Sequence, residues 1–401
     1  MVTLKEIQKA KDKVSQVAYA TPLTLAPVLS KKYDSEIYLK KENLQVTGSF
    51  KLRGAFNKIA NLNETQKAKG VVASSAGNHA QGLAYAAQYF NVDAIIFMPE
   101  ATPLTKVSGV KYYGAQVILQ GANYDEAYVA ALEYSKKQQK TFIHPFADDH
   151  VIAGQGTIAL EILDQMDPPD IIVVPIGGGG LITGIATVFK AVSPTTKIIG
   201  VVSTGANAMK ESYDAQTPID SLSVKTIADG IAVRDVTPKM LDYVLDLVDE
   251  VIEVEDKEVA NAILFLLERQ KLVVEGAGAI GLAAIMHNKI DVKNKKVVVP
   301  LSGGNIDVTM LSLIIEKGLV KSSRKMNLIV TLIDKPGSLM NLTNIFNECD
   351  ANIVQIDYDR NSVKLDFGEA HVIIALETKG EEHQQLIENT LQEYGYKFKQ
   401  L

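Results

Sequence analysis

The chain has one cysteine and no tryptophan in 401 residues. A single thiol, Cys349, excludes an internal disulfide and a zinc site built from cysteines. No uninterrupted apolar run is long enough to cross a bilayer. Residues 1–13 alternate charged side chains with Leu4 and Ile7, where a secretory signal would carry an apolar core. Excess positive charge is also missing. The formal net charge is -6 and the pI is near 5.7, and no large lysine-arginine cluster stands out, which argues against nucleic acid and other polyanions as partners. The expectation is a cytoplasmic protein that handles a small molecule, with no membrane and no nucleic acid.

What is present is the composition of a globular protein, 47% hydrophobic and 22% charged. Its length exceeds one ordinary core, so two or three domains are expected. Leu4, Ile7, Val14 and Val17 recur at helical spacing until Thr21-Pro22-Leu23 stops them, so the chain opens with a helix. Glu36–Lys40 reads as a short strand. Apolar, β-branched runs at 71–73, 94–97, 115–119 and 141–143 then alternate with helical segments, which predicts a parallel sheet covered by helices. Runs at 171–175, 197–202, 247–252 and 296–300 predict a second. The expected architecture is α/β, two subdomains facing each other across a cleft, with ligands at the carboxyl ends of strands where glycine-rich turns gather. The polar, basic segment 318–325 marks a change of rhythm and a domain boundary. Beyond it come a strand at 327–333, a turn at Asp334-Lys335-Pro336-Gly337, and a helix carrying Leu339, Leu342, Ile345, Phe346 and Cys349. Strands at 353–358 and 371–377, a helix near 382–394 and a short strand at 396–398 complete an α+β βαββαβ pattern.

Four stretches carry chemistry. In Ser49-Phe50-Lys51-Leu52-Arg53-Gly54 a lysine sits in an apolar segment. Held partly out of water it would lose affinity for its proton, and the neutral amine can attack an aldehyde. Taken alone, these residues also fit a solvated lysine at a helix start. Gly177-Gly178-Gly179-Gly180-Leu181 follows an apolar strand and opens a helical run, where bare N–H groups and the helix dipole attract an anion. The next strand ends in Ser203-Thr204-Gly205, without the acid a dinucleotide ribose needs, and no Gly-Lys-Ser/Thr ending marks a nucleotide loop. The motif suits one phosphate, or a flexible turn with no ligand. Ser74-Ser75-Ala76-Gly77-Asn78-His79 offers hydroxyls, an amide and helix-start N–H groups, the inventory for gripping a carboxylate, or a plain helix cap. His79 has no second histidine or carboxylate at ligand spacing nearby, so a structural role is expected. Ser302-Gly303-Gly304-Asn305 is a weaker strand-end signal. Glu275-Gly276-Ala277-Gly278 reads as no more than a helix-packing glycine pair.

Taken in order, the motifs at 49–54, 74–82, 177–181 and 302–305 resemble those of the pyridoxal-phosphate enzymes of the tryptophan-synthase-β fold type. Within that group they are most similar to the threonine dehydratases (threonine ammonia-lyases), over about residues 1–320. The tail, 326–401, with Asp334-Lys335-Pro336-Gly337-Ser338-Leu339, resembles an ACT regulatory domain, a weaker match. The resemblance implies a catalytic domain over 1–320, with a smaller subdomain of about 45–145 inserted. It implies pyridoxal 5'-phosphate as cofactor, held by Lys51 as an internal aldimine with Phe50 beside the ring. Asn78 would hydrogen-bond the ring's 3-oxygen. Gly177, Gly178, Gly179, Gly180 and the Leu181 N–H would hold the phosphate, and Ser302 would meet the pyridine nitrogen. A serine there need not protonate the ring, giving a milder electron sink that suits β-elimination of a hydroxyl. The substrate amine would displace Lys51, which then removes the α-proton, and the hydroxyl would leave with help from an acid such as the cofactor phosphate. Ser75, Gly77 and Asn78 are the candidates for the substrate carboxylate.

Two departures narrow the choice. Relatives that racemise serine carry a second hydroxyl base where this chain has Ala76, and bind a divalent cation through an acid after the strand that here ends at Val202. Ala76 carries no proton, and Val202 and Ser203 are not acidic, so slow racemisation and no metal site are expected. The implied activity is conversion of L-threonine to 2-oxobutanoate and ammonia, and of L-serine to pyruvate, regulated through the tail. An effector would sit near Asp334 to Leu339: isoleucine or valine for a biosynthetic enzyme, a nucleotide or nothing for a catabolic one. A tail that only dimerises is the alternative. Other readings are a pyridoxal-phosphate enzyme acting on cysteine or diaminopropionate, and a non-catalytic amino-acid sensor. A homodimer or homotetramer is expected from the resemblance.

Overall fold

Thr3 opens the first helix, Leu4–Val14: its side chain accepts from the Glu6 amide while Glu6 reaches back to the Thr3 backbone, and the helix buries Ile7, Ala10 and Val14. In the computed structural model, which describes residues 1–361, 363 and 365–401, the chain next forms β1 (Leu23–Leu25) and β2 (Glu36–Lys40), an antiparallel pair. It then leaves this sheet to build another. β3 (Val71–Ser74), β4 (Ala94–Met98), β5 (Gln116–Leu119) and β6 (Thr141–Phe142) pair in parallel in the order β5-β4-β3-β6. Afterwards β7 (Ile171–Pro175), β8 (Lys197–Ser203), β9 (Glu250–Val254) and β10 (Lys296–Pro300) return to the first sheet, whose order is β1-β2-β10-β7-β8-β9. All its pairings except β1 with β2 are parallel. β4 and β7 are buried along their whole length, as strands covered on both faces must be, which is why they read as unbroken apolar runs.

Helix Asp149–Gln165 packs against both Lys51–Ala60 and Gly180–Val192, and so ties the two sheets together. The expected strand at 247–252 is displaced: Leu247 ends helix Pro238–Leu247, and the strand begins at Glu250. Thr237 caps that helix and Pro238 occupies its first turn, local signals that outweigh the apolar Leu247-Val248 pair. β1 was not expected at all, because three residues are too few to show alternation.

The chain divides into two compact units, Met1–Asp307 and Val308–Leu401. The division falls before the 318–325 segment that composition suggests, because helix Val308–Lys321 belongs with the second unit. Glu316 on that helix pairs with Lys325 at the start of the next strand, so the polar segment is the end of a helix and its short link onward. The second unit contains β11 (Lys325–Ile333), β12 (Asn352–Asp359), β13 (Glu369–Glu377) and β14 (Lys397–Gln400), antiparallel in the order β12-β13-β11-β14. Met326, Leu328, Val330 and Leu332 alternate onto one face, where they meet Leu342, Ile345 and Phe346 of helix Ser338–Glu348 and Ile387 and Leu391 of helix Glu381–Glu393. Its strand and helix order after Val308–Lys321 is the βαββαβ pattern. Among the described residues no helix is long and apolar enough to cross a membrane.

Candidate functional site

Lys51 is the first residue of helix Lys51–Ala60. The turn before it is stitched to the turn after β10: Ser49 bridges to Gly303, the Phe50 N–H donates to the Ser302 carbonyl at 3.1 Å, and the Gly304 N–H donates to the Gly48 carbonyl at 2.8 Å. Backbone pairing therefore brings Lys51 and Ser302 together at strand ends. Lys51 Nζ donates to the Pro145 carbonyl at 3.2 Å and lies 5.3 Å from the centre of the Phe50 ring. Burial pulls its pKa down to about 8, against the opposing charge of Glu275.

Helix Asn78–Tyr89 starts just after β3 and runs against the same turn. Gly82 makes this contact possible, since a Cβ there would stand 2.9 Å from the Leu52 nitrogen. Asn78 thus reaches the 302–305 turn: Asn305 Nδ2 donates to Asn78 Oδ1 at 2.7 Å, and Asn78 Nδ2 donates to Glu275 Oε1 at 2.7 Å. The Gly77 N–H donates to the Ser75 hydroxyl at 3.2 Å, and residues 75–78 are half-buried. At the end of β7, Gly179 has φ of +90°, a conformation that favours glycine, and caps helix Gly180–Val192. The helical ladder begins with the Thr183 N–H on the Gly179 carbonyl, so the N–H groups of Gly180 and Leu181 have no partner within the helix.

Two histidines lie close to Lys51 and both are held neutral. Burial, then the Lys51 charge, lowers His79 to about 3 and His144 to about 4. His79 Nε2 sits 3.2 Å from the Ile143 carbonyl, which makes it the protonated nitrogen. His144 Nδ1 accepts from the Phe146 and Ala147 N–H groups at 3.2 and 2.9 Å. Both rings organise the chain after β6, in keeping with the structural role expected for His79.

Sequence reasoning passed over Glu275. Its carboxyl is 4% exposed and rises to about 7, through burial first and the charge of Asp229 second, with the Asn78 hydrogen bond opposing. Its one signal was an acid immediately before Gly276–Met286, a helix with no charged residue at all. Pro145 was also missed, since a backbone carbonyl leaves no trace in side-chain identity.

These groups fit pyridoxal phosphate by the chemistry of their donors. They comprise a buried primary amine near neutrality, N–H groups at a helix start beside a glycine run, an amide held on both sides, and a serine at a neighbouring strand end. Residues 14–303 match the family model of the pyridoxal-phosphate dependent enzymes, and the chain belongs to that family. Its relatives include an L-threonine ammonia-lyase of Thermotoga maritima, 47% identical over 99% of this chain and 98% of the relative. Among solved structures, the processed form of threonine deaminase isoform 2 from Solanum lycopersicum superposes with a TM-score of 0.74 at 38% identity, over 79% of this chain and 90% of that one. A maize serine racemase does so with a TM-score of 0.75 at 34% identity, over 80% of this chain and 98% of its own.

Proposed function

We propose that this chain is an L-threonine ammonia-lyase that converts L-threonine to 2-oxobutanoate and ammonia, and L-serine to pyruvate and ammonia. The observation that carries the reading is the Lys51 amine, buried and lowered to about 8, beside the 75–78 turn in a chain 47% identical to a relative of that activity. Pyridoxal phosphate, when bound, would supply the electron sink for the charge left by α-proton removal. Lys51 would be the residue that holds it and would serve as the base for the α-proton, because an amine lowered to about 8 exchanges a proton near physiological pH. Gly177 to Gly180 and the Leu181 N–H would hold the phosphate, Phe50 would flank the ring, Asn78 would donate to the 3-oxygen and Ser302 would serve the ring nitrogen. Ser75, Gly77 and Asn78 orient the substrate carboxylate, where the helix start adds its dipole.

The test is the visible spectrum of the purified protein, then addition of L-threonine while 2-oxobutanoate is assayed without a second nucleophile. A cofactor band with 2-oxobutanoate formed supports the reading. Release of product from cysteine or diaminopropionate but not from threonine would replace the substrate class, and a protein that takes up no cofactor would leave only the sensor reading.

Ala76 supports elimination over racemisation. Two-base inversion at the α-carbon needs a proton carrier on the face opposite Lys51, and a methyl group carries none. Ala76→Ser is expected to raise D-serine formation from L-serine about tenfold or more while slowing pyruvate release, both read by chiral chromatography; unchanged D-serine would remove Ala76 from this role.

The Val308–Leu401 unit is proposed as the regulatory part, with a small amino acid bound near Asp334 to Leu339. Its separate core and ACT-like strand order support this, as does the confinement of every candidate catalytic residue to Met1–Asp307. Such an effector and the substrate must change each other's affinity by the same factor, and equal effector affinity with and without substrate would argue for a tail that only pairs subunits. A homodimer or homotetramer is the proposed assembly.

A further inference from the structure

The amide of Asn78 is the end of a directional chain of hydrogen bonds. Asn305 Nδ2 donates to the Thr47 backbone carbonyl at 2.9 Å. A carbonyl only accepts, so this contact fixes which end of the Asn305 side chain carries nitrogen. The second N–H of the same nitrogen goes to Asn78 Oδ1 at 2.7 Å, which turns the oxygen of Asn78 toward Asn305 and its nitrogen the other way. One N–H of Asn78 is then taken by Glu275 Oε1 at 2.7 Å. The Gly303 backbone walls this junction: a Cβ there would fall 2.3 Å from Glu275 Oε1 and 3.2 Å from Asn78 Nδ2. The Glu275 N–H also donates to the Gly303 carbonyl at 3.0 Å, so carboxyl and turn move as one piece.

We propose that Asn305 and Glu275 are positioning residues that lock the Asn78 amide with its nitrogen outward from Asn305, leaving its second N–H as the donor to an anionic oxygen of the bound cofactor. An unlocked asparagine presents oxygen or nitrogen with similar ease, and oxygen facing an oxyanion repels it. The lock converts an ambivalent side chain into a donor, and it does so from the turn after β10 and the residue before helix Gly276–Met286, which the Glu275 N–H to Gly303 carbonyl bond holds together. Charged groups that act on Glu275 are Asp229, its ion-pair partner Lys106, and Lys51. The inference rests on the proposed cofactor site and adds two residues to it.

A double-variant cycle on the whole protein tests it, read by retention of pyridoxal phosphate in equilibrium dialysis and by the pH midpoint of the bound cofactor's visible band. Asn305→Asp keeps the shape but replaces the donor with an acceptor. It is expected to weaken retention on the order of tenfold and to move the midpoint, as loss of a hydrogen bond to a charged group does. In an Asn78→Ala background the same change should do nothing further, because its effect passes through Asn78. Glu275→Gln keeps an acceptor and should retain the cofactor nearly as wild type, its pH midpoint moving only by the loss of the charge, while Glu275→Met should reproduce the lost retention of Asn305→Asp. If Asn305→Asp does not fold, the Glu275 pair completes the cycle by the same readouts. Additive losses with Asn78→Ala, or equal cofactor retention in Glu275→Gln and Glu275→Met, would overturn the lock. Wild-type uptake of cofactor that is lost in Lys51→Ala reports separately on the site itself, so the two readings fail by different signs.

Discussion

Lys51→Ala is expected to lower 2-oxobutanoate formation from L-threonine by at least about 10³-fold, since it removes the proposed anchor and the proposed base together, and a single positioned base contributes about 10²–10⁴. The fold should survive, because Lys51 Nζ makes one hydrogen bond, to the Pro145 carbonyl, and burying the charged amine costs stability that alanine does not incur. The pH dependence is equally specific. Attack on an aldehyde needs the neutral amine, so the rate at which cofactor-free protein captures pyridoxal phosphate should rise through about pH 8, the lowered value for Lys51, and not through the range of an ordinary lysine. The Glu275 carboxylate opposes that lowering, so Glu275→Gln should move the capture profile to lower pH. Stopped-flow absorbance against pH measures both. A profile that keeps rising well past pH 9 in the wild type would show that Lys51 is solvated, and full activity in Lys51→Ala would remove it from the chemistry.

The residues at the centre of these expectations were legible because each motif is short, contiguous and placed at a strand end. Lys51, Asn78, Gly177 to Leu181 and Ser302 all lie on turns or helix starts that follow strands or pair with such turns, and a parallel sheet gathers those ends on one side. The parallel strands were legible for a related reason: burial on both faces writes them as unbroken apolar runs. What the sequence did not disclose depends on partners that arrive from elsewhere in the chain. Glu275 looks like part of a glycine pair until the Asn78 amide is set against it, and Asn305 has no visible partner until Thr47 and Asn78 are beside it. Leu247 is equally apolar in a helix or a strand, and only the cap at Thr237 decides. The helix at 308–321 reads as a continuation of the catalytic unit because its own periodicity says nothing about which core it joins.

Arg53→Leu should destabilise the catalytic unit by about 3–5 kcal/mol, the cost of leaving a buried charge without its partner. Arg53 is fully buried two residues beyond Lys51 on the same helix. Its guanidinium holds both Glu42 oxygens at 2.8 Å and reaches Glu161 through Nη1 and Nη2, with further bonds to the Thr157 hydroxyl at 3.2 Å and the Tyr19 carbonyl at 3.1 Å. Lys40, also fully buried, adds bonds to Glu161 at 2.6 Å and to the Thr21 carbonyl at 2.7 Å. Burial works against the charge on Arg53, and Glu42 and Glu161 outweigh it and keep the guanidinium protonated. Two cations and two carboxylates balance, so removing Arg53 leaves Glu42 buried with too few donors. Arg53→Lys should recover little, because an ammonium cannot reproduce the planar fork that meets Glu42 with two bonds. Pairing Arg53→Leu with Glu42→Gln should recover a substantial part, since it removes the stranded charge. Urea midpoints of the three variants separate these effects, and a midpoint for Arg53→Leu equal to that of wild type would show that the cluster carries no net stability. Through Arg53 the cluster also ties the first turn of the helix that begins at Lys51 to Glu42 and Glu161. Cofactor retention should therefore fall in Arg53→Leu even below its unfolding midpoint and return in the paired variant, which would link the most buried charges in the unit to the position of the amine proposed to do the chemistry.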